Sequence, residues 1–225
     1  MLIASCESGI LTISGFTNSA IRVGIGTLNM WYGVITRNEA GWNGGGVKMN
    51  FGLVEMHGGE IIANRAGGNG GSVKVNTGRF EMYDGEITGN EAAENGGGVK
   101  VNTGASEMYG GEITGNRAQI SGGGVRLNIG ELQMFGGKIS SNEADYGGGV
   151  NVTMGSFRMN LGFENTATYG LIEGNTATYG GGIYVSTDSE LPGTLSVVAG
   201  SIINNRAVKR RRRHLHGRFC RLCDQ

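Results

Sequence analysis

Apolar side chains recur along this chain every 26 residues. The segment GGGVKMNFGLVEMHGGEIIANRA, residues 44–66, returns three more times with few changes. The spacing is clearest at two apolar columns: Val47, Val73, Val99 and Val125, and Met30, Met56, Met82, Met108 and Met134. Its ending, I-x-x-N-x-A, occurs seven times, and residues 10–20 resemble an irregular eighth copy. Such a repeat predicts a solenoid of stacked coils.

Three short runs in each repeat alternate apolar and polar residues with the period of two that is typical of strands. In one copy they are VKVN (99–102), ASEM (105–108) and EITGN (112–116), separated by glycine or Asn-Thr-Gly turns. Glycine density and the lack of a 3.6-residue apolar stripe exclude helices. We therefore expect an all-β fold, a parallel β-helix of about seven or eight coils with three strands each. Right-handed coiling follows from the general preference of parallel crossovers.

One asparagine in each repeat lies between two core positions, the isoleucine of the third run and the alanine two residues beyond. The column comprises Asn38, Asn64, Asn90, Asn116, Asn142, Asn175 and Asn205. A buried amide must find hydrogen-bond partners. We therefore predict an asparagine ladder, in which each amide bonds to the amide of the next coil and to turn backbone.

Outward positions carry charge in columns. The basic ladder comprises Lys48, Lys74, Lys100 and Arg126, and the acidic ladder comprises Glu55, Glu81 and Glu107. A third column alternates in sign through Arg65, Glu91, Arg117 and Glu143. Because stacked like charges repel, we expect the basic and acidic ladders to neutralise each other around the turn between them. The alternating column is explained as surface charge pairing.

An aromatic column follows the core methionines and consists of Trp31, His57, Tyr83, Tyr109 and Phe135. Stacked aromatic rings can form a platform for sugars. The alternative interpretation is that the rings stack on one another and cover the turn, which makes His57 a member of the column and not a catalytic base. The candidate glycan- or partner-binding residues are Trp31, Tyr83, Tyr109, Phe135, Phe163 and Tyr169.

These repeats resemble those of polymorphic outer membrane proteins, which carry GGA[ILV] and FxxN motifs on a right-handed parallel β-helix. The resemblance covers residues 26–207, with GGGV in place of GGA[ILV] and with isoleucine in place of phenylalanine in ITGN, ISSN and IEGN. It implies a bacterial surface or secreted protein, extracellular or on the outer cell surface, that acts as an adhesin or a display module. A host or cell-surface glycan or a protein receptor is the implied partner.

Composition and charge limit the alternatives. The chain has 45 glycines and one proline. Residues 1–207 hold 12 basic and 18 acidic residues, a net charge of −6, whereas residues 208–225 hold 7 and 1, a net charge of +6. An acidic body argues against nucleic-acid binding. Three cysteines do not support a disulfide scaffold, and no apolar run is long enough to span a membrane as a helix.

The chain divides into three parts by pattern. Residues 1–25 are expected to form an irregular N-terminal coil or a truncated cap, and their opening lacks the features of a signal peptide. Residues 26–207 form the repeat domain, with loop insertions near 161–170 and 186–194, where the period is broken. Residues 208–225 are a basic tail that we expect to be disordered, despite one C-x-x-C and two histidines.

No catalytic constellation emerges from the sequence. Many β-helix enzymes use clustered carboxylates, but the body has only three aspartates, Asp84, Asp145 and Asp188, in different parts of the repeat. Most glutamates belong to repeated columns. The sequence therefore indicates a non-catalytic, monomeric protein with no cofactor and no metal site. The alternative is a fragment of a carbohydrate-active β-helix protein, a polysaccharide lyase or a glycoside hydrolase.

Overall fold

The structure is a computed structural model that describes residues 2–3, 11–160, 169–186 and 191–208. These residues form an all-β solenoid of four parallel sheets and contain no helix. We name each sheet after the residue that recurs on its inward face: valine, methionine, isoleucine or alanine. Each full coil contributes one strand to each sheet, in that order along the chain. The predicted parallel β-solenoid of 26-residue coils is therefore confirmed.

The strands of two sheets follow one another along the coil. The methionine sheet contains Leu2–Ile3, Thr27–Met30, Leu53–Met56, Arg79–Met82, Ala105–Met108, Glu131–Met134, Ser156–Met159 and Thr194–Val197. The isoleucine sheet contains Thr12–Ser14, Val34–Thr36, Glu60–Ile62, Glu86–Thr88, Glu112–Thr114, Lys138–Ser140, Leu171–Glu173 and Ser201–Ile203.

The other two sheets complete the coil. The valine sheet contains Ile21–Val23, Val47–Met49, Val73–Val75, Val99–Val101, Val125–Leu127, Val150–Val152 and Ile183–Val185. The alanine sheet contains Glu39–Ala40, Arg65–Ala66, Glu91–Ala92, Arg117–Ala118, Glu143–Tyr146, Thr176–Tyr179 and Arg206–Ala207. In all four sheets each residue pairs with its counterpart one coil away, as Met82 does with Met56 and Met108.

A coil has four strands, and the prediction of three was wrong. The third predicted run is divided, because the residue before each ladder asparagine adopts a left-handed conformation that turns the chain. These residues have φ between 52° and 62° and are Arg37, Ala63, Gly89, Gly115, Ser141, Gly174 and Asn204. The isoleucine strand ends before this residue, and an alanine strand of two or four residues begins after the asparagine.

The core is a set of inward columns stacked like on like, as predicted. Valine, methionine, isoleucine and alanine side chains from successive coils are almost fully buried. Two larger side chains, Phe80 and Phe157, are also buried, in the methionine strands. Burial of this continuous apolar column supplies the main favourable free energy of the fold.

The asparagine ladder is confirmed in detail. Asn90 is typical: its Oδ1 accepts from the backbone N and the Nδ2 of Asn64, at 2.9 and 3.1 Å. Its Nδ2 donates to the carbonyl oxygens of Ile61 and Thr88 and to Oδ1 of Asn116. The side chain is almost fully buried, and both the oxygen and the nitrogen of its amide have hydrogen-bond partners.

Breaks in the period fall in turns and leave the sheets in register. Ile139 pairs with Ile172, 33 residues later, and Ile172 pairs with Ile202, 30 residues later. The extra residues lie between a methionine and an isoleucine strand in one case, and between a valine and a methionine strand in the other. Residues 161–168 and 187–190 of the two predicted insertions lie outside the described residues.

The ends of the chain extend this picture. The strands Thr12–Ser14 and Ile21–Val23 pair in register with the next coil, so the predicted N-terminal coil is part of the solenoid. The basic tail beyond Val208 lies outside the described residues, and its predicted disorder remains a prediction. Right-handed coiling also remains a prediction.

Candidate functional site

The aromatic column is a continuous stack of rings on the turn after the methionine strands. Centroid distances from Trp31 through His57, Tyr83 and Tyr109 to Phe135 are 4.0, 4.7, 4.8 and 5.1 Å, and the planes differ by 10° or less. Consecutive rings therefore cover each other's faces. This arrangement favours the interpretation of the column as a turn-covering stack, since a sugar could reach the inner rings only at their edges.

One further candidate, Tyr169, is described by the structure. Tyr169 is about half exposed and lies two residues before the strand Leu171–Glu173, in the turn that follows the first insertion. Phe163 lies outside the described residues. Four of the six candidates are therefore in the stack, and binding by any of the six remains a prediction.

Two of the three carboxylates of the acidic ladder are paired with a cation of their own sheet, not with the basic ladder. Arg79 lies 3.0 Å from Glu81 and 2.6 Å from Glu107, joining two nearly buried carboxylates of neighbouring coils. The same carboxylates accept hydrogen bonds from the hydroxyls of Tyr83 and Tyr109. The expectation that the two ladders neutralise each other was wrong, because Arg79 occupies an outward position that is not basic in the other coils.

Replacement of Arg79 by methionine is expected to lower the free energy of unfolding by about 1–2 kcal/mol, since two poorly hydrated carboxylates lose their cation. Urea denaturation followed by circular dichroism measures the change. The matched control is Arg65→Met: Arg65 lies 3.9 Å from Glu91 and both side chains are exposed, so a change below about 0.5 kcal/mol is expected. Equal effects of the two substitutions would contradict the role of Arg79.

The hydroxyl of Tyr83 is held in its neutral form. Its hydrogen bond to Glu81, followed by burial and the charges of the three ladder glutamates, raises the pKa of Tyr83 to about 12. The folded state therefore holds a proton that an unfolded tyrosine, with a pKa of about 10, releases. This contribution to stability is complete below about pH 10 and is lost as the pH rises towards 12.

Titration of tyrosinate absorbance is expected to show one fewer high-pH ionisation in a Tyr83→Phe variant than in the wild-type chain. The variant should also lose less stability than the wild type between about pH 10 and 12. An unchanged high-pH titration in the variant would show that Tyr83 ionises normally.

The basic ladder occupies the centre of successive valine strands and lies on their outward face, half buried. Lys48, Lys74, Lys100 and Arg126 pair in register, and Arg22 extends the row by one coil. Among the described residues, no carboxylate lies within 4.0 Å of these five cations. The row is therefore a positive stripe along the solenoid.

Amide oxygens, not carboxylates, receive the cations. Lys100 donates to Asn69 Oδ1 at 2.7 Å, and Arg126 donates to Asn95 Oδ1 at 2.7 Å and to Ser121 Oγ. Burial, and then the charges of Arg126 and Lys74, lower the pKa of Lys100 to about 8 against the attraction of Glu94. The ladder thus holds its charges close together with little internal compensation.

Beside the basic ladder lies a second asparagine column that the sequence analysis did not identify. It comprises Asn50, Asn76, Asn102 and Asn128, one residue after each valine strand, and is visible in the sequence as VKMN, VKVN, VKVN and VRLN. Asn128 Nδ2 donates to Asn102 Oδ1 at 2.9 Å, and these side chains are half buried. Unlike the core ladder, this column reaches the surface.

A shallow open groove of about 600 Å³ runs along the next turn. It is lined by the last glycine of each Asn-Thr-Gly turn and by the equivalent glycines of the other coils. The residue before each glycine also lines it, and these residues are Phe51, Thr77, Thr103 and Ile129. The phenylalanine and isoleucine are more than half exposed. The basic ladder, the second asparagine column and the groove are thus adjacent strips of one face.

Three tyrosines form a second aromatic cluster that sequence reasoning also missed. The rings of Tyr146 and Tyr179 stack at 5.1 Å, and Tyr184 meets Tyr146 edge-on at 5.2 Å. The first two occupy equivalent positions in EADYGGG and TATYGGG. Their proximity depends on a 33-residue register that the 26-residue period does not provide.

Two further features bear on function: groups of metal-ligating side chains and membrane-spanning helices. Over the described ranges, no three or more His, Cys, Asp or Glu side chains form a group that could hold a metal ion. In that same part of the chain, no helix has the length and apolar character needed to cross a membrane. Comparison with protein-family models, with curated proteins and with solved structures finds no match, so the resemblance to polymorphic outer membrane proteins remains a prediction from the repeat.

Proposed function

We propose that this chain is a non-catalytic β-solenoid module of a bacterial surface or secreted protein, which presents a repeating binding surface in the manner of an adhesin. The observation that carries the proposal is the outward face itself. The basic ladder, the second asparagine column and the groove repeat the same chemistry along the axis. A repeating surface suits an extended partner, whereas a reaction centre needs one constellation unlike its neighbours.

The bonding of the carboxylates supports a non-catalytic role. Glu81 and Glu107 are held by Arg79, Glu131 lies 3.7 Å from Arg158, and Glu173 lies 2.8 Å from Lys138. These acids therefore serve contacts between coils. The solenoid is expected to act as a monomer, outside the cell or on its outer surface, with a glycan or a protein receptor as partner.

The alternative, a fragment of a carbohydrate-active protein, predicts a pair or cluster of acids around residues 160–194. Within that range the structure describes Glu173, which is bound to Lys138. Glu164, Asp188 and Glu190 lie outside the described residues. No specific observation favours this alternative, and the experiment below separates it from the proposal.

The full chain, fluorescently labelled, is applied to a glycan array and to a panel of purified extracellular matrix proteins. In parallel, each polysaccharide is incubated with the unlabelled chain and assayed for new chain ends. Saturable binding to one ligand class without cleavage is the expected result. Cleavage of a polysaccharide would overturn the non-catalytic function, and the absence of saturable binding to either set would overturn the adhesin-like role.

A further inference from the structure

The basic ladder is an outward column of stacked positive charges with no carboxylate within 4.0 Å among the described residues. With Arg22 it places five cations on successive strands, at the strand spacing of about 4.8 Å and so over roughly 19 Å. Glu94 is the acid that acts on it, through its attraction for Lys74 and Lys100. Like charges directly opposite each other in a sheet are destabilising.

The neighbouring alanine sheet shows how this same solenoid builds a compensated column. There the outward residues alternate in sign through Glu39, Arg65, Glu91, Arg117 and Glu143, which pair in register. The acidic ladder likewise carries its own arginine. The basic ladder has neither device, so its positive charges remain available to an anionic ligand.

The surroundings of the basic ladder fit a narrow, hydrophilic chain. One side carries the second asparagine column and the groove beyond it. The other side carries the turn with Asn69 and Asn95, where the equivalent loop one coil earlier exposes Trp42 almost completely. Amide donors and acceptors beside cations, with an exposed indole near one end, are groups that bind charged sugars.

We propose that the basic ladder binds a linear polyuronate, a polysaccharide with one carboxylate on each sugar, which lies along the solenoid axis. One strand step is comparable to the length of one sugar in an extended chain, so a polymer of about five sugars spans the row of cations. This inference rests on the proposed function, because it names the ligand class of that repeating face.

Nucleic acid fits the same stripe less well. The sheets on either side carry acidic side chains, including Glu55, Glu81 and Glu107 on one and Glu39 and Glu91 on the other, which would repel the wide phosphate envelope of a duplex. Single strands are bound by stacking successive bases on aromatic rings. Beside the ladder the exposed rings of Trp42 and Phe51 occur in one coil and are not repeated at the equivalent positions of the next three coils. A narrow polyuronate needs only one column.

The test measures binding of the full chain to polygalacturonate by calorimetry. The ladder variant is Lys74→Gln with Lys100→Gln. The control variant is Arg65→Gln with Arg117→Gln, which removes the same net charge from the alternating column. The ladder variant is expected to bind roughly tenfold more weakly, the factor for two lost surface ion pairs, and the control is expected to bind as the wild type does.

Three further measurements distinguish specific binding from general charge attraction. Affinity for oligogalacturonates should rise with length up to about five sugars, the number of cations in the row, and then level off. Methyl-esterified polymer should not bind. The ladder variant should unfold at the same temperature as the wild type or higher, because it removes repulsion, so its loss of binding would not reflect misfolding.

Equal losses in the two variants, binding of the esterified polymer, or tighter binding of single-stranded DNA at the same salt concentration would each overturn the inference. Its failure differs from failure of the proposed function. If the chain binds another surface ligand but not polyuronate, only the ladder assignment fails. If polyuronate is bound through the ladder and is also cleaved, the ladder assignment stands and the non-catalytic function fails.

Discussion

Replacement of Asn116 by alanine is expected to lower the free energy of unfolding by about 3 kcal/mol or more. Oδ1 of Asn116 accepts from the backbone N and from Nδ2 of Asn90, at 2.9 and 3.0 Å. Its Nδ2 donates to Ile87 O, Thr114 O and Asn142 Oδ1. Alanine leaves several of these buried groups without partners, and each such group costs about 1–3 kcal/mol.

The control for Asn116 is another asparagine of the same coil. Asn102 belongs to the second asparagine column, is half buried, and bonds to Asn76 at 3.3 Å and to Asn128 at 2.9 Å. Water can replace these partners, so Asn102→Ala should cost less than about 1 kcal/mol. Urea midpoints measured by circular dichroism compare the two variants within one coil. A similar shift for both would mean that the core ladder is not a principal source of stability.

Replacement of Gly104 by alanine is expected to lower the free energy of unfolding as much as replacement of Asn116, because the new side chain overlaps a neighbouring coil. A Cβ on Gly104 would lie 2.1 Å from the carbonyl oxygen of Gly78 in the preceding coil and 2.8 Å from a methyl of Val75. The overlap involves backbone, so it is relieved only by separating two coils that share four sheets. We expect a loss of about 3 kcal/mol or more, at the upper end for overpacking, measured as for Asn116.

Gly115 provides the comparison, in the same coil as Gly104. A Cβ there has nothing closer than 3.9 Å, although φ is +61°. Ala63 occupies the equivalent position with φ of 54°, so the turn accepts alanine at a cost of about 1 kcal/mol. If Gly115→Ala were the more damaging change, backbone conformation and not the close approach of coils would determine where glycine is needed.

Much of this architecture could be predicted from the sequence because the repeat puts identical side chains in register. The columns that contain Val73, Met82 and Asn90 can be found by their 26-residue spacing, and this spacing alone predicts the apolar core and the asparagine ladder. The alanine sheet was missed because its strands have mostly two residues, too few to show alternation. The second asparagine column was visible, but its half-buried position depends on the turn beside it.

The parts that could not be predicted depend on features that occur once. Arg79 reaches two acidic residues across coils, whereas the equivalent positions hold Leu53, Ala105 and Glu131. The partners of Lys100 are set by the path of a glycine-rich turn. In the isoleucine sheet, two pairs of neighbouring strands are separated by 33 and 30 residues in the sequence and not by 26. Contacts across the insertions therefore do not follow from the repeat period.

The core asparagine ladder also gives the molecule a direction. From Asn38 to Asn205, each side-chain Nδ2 donates to the Oδ1 of the next coil, and the sense never reverses. The column therefore presents acceptors towards the preceding coil and donors towards the following one, and aligned amides polarise one another. Two such rods meeting head to head would oppose like groups. The ladder thus sets an axial polarity that permits another coil to join only head to tail.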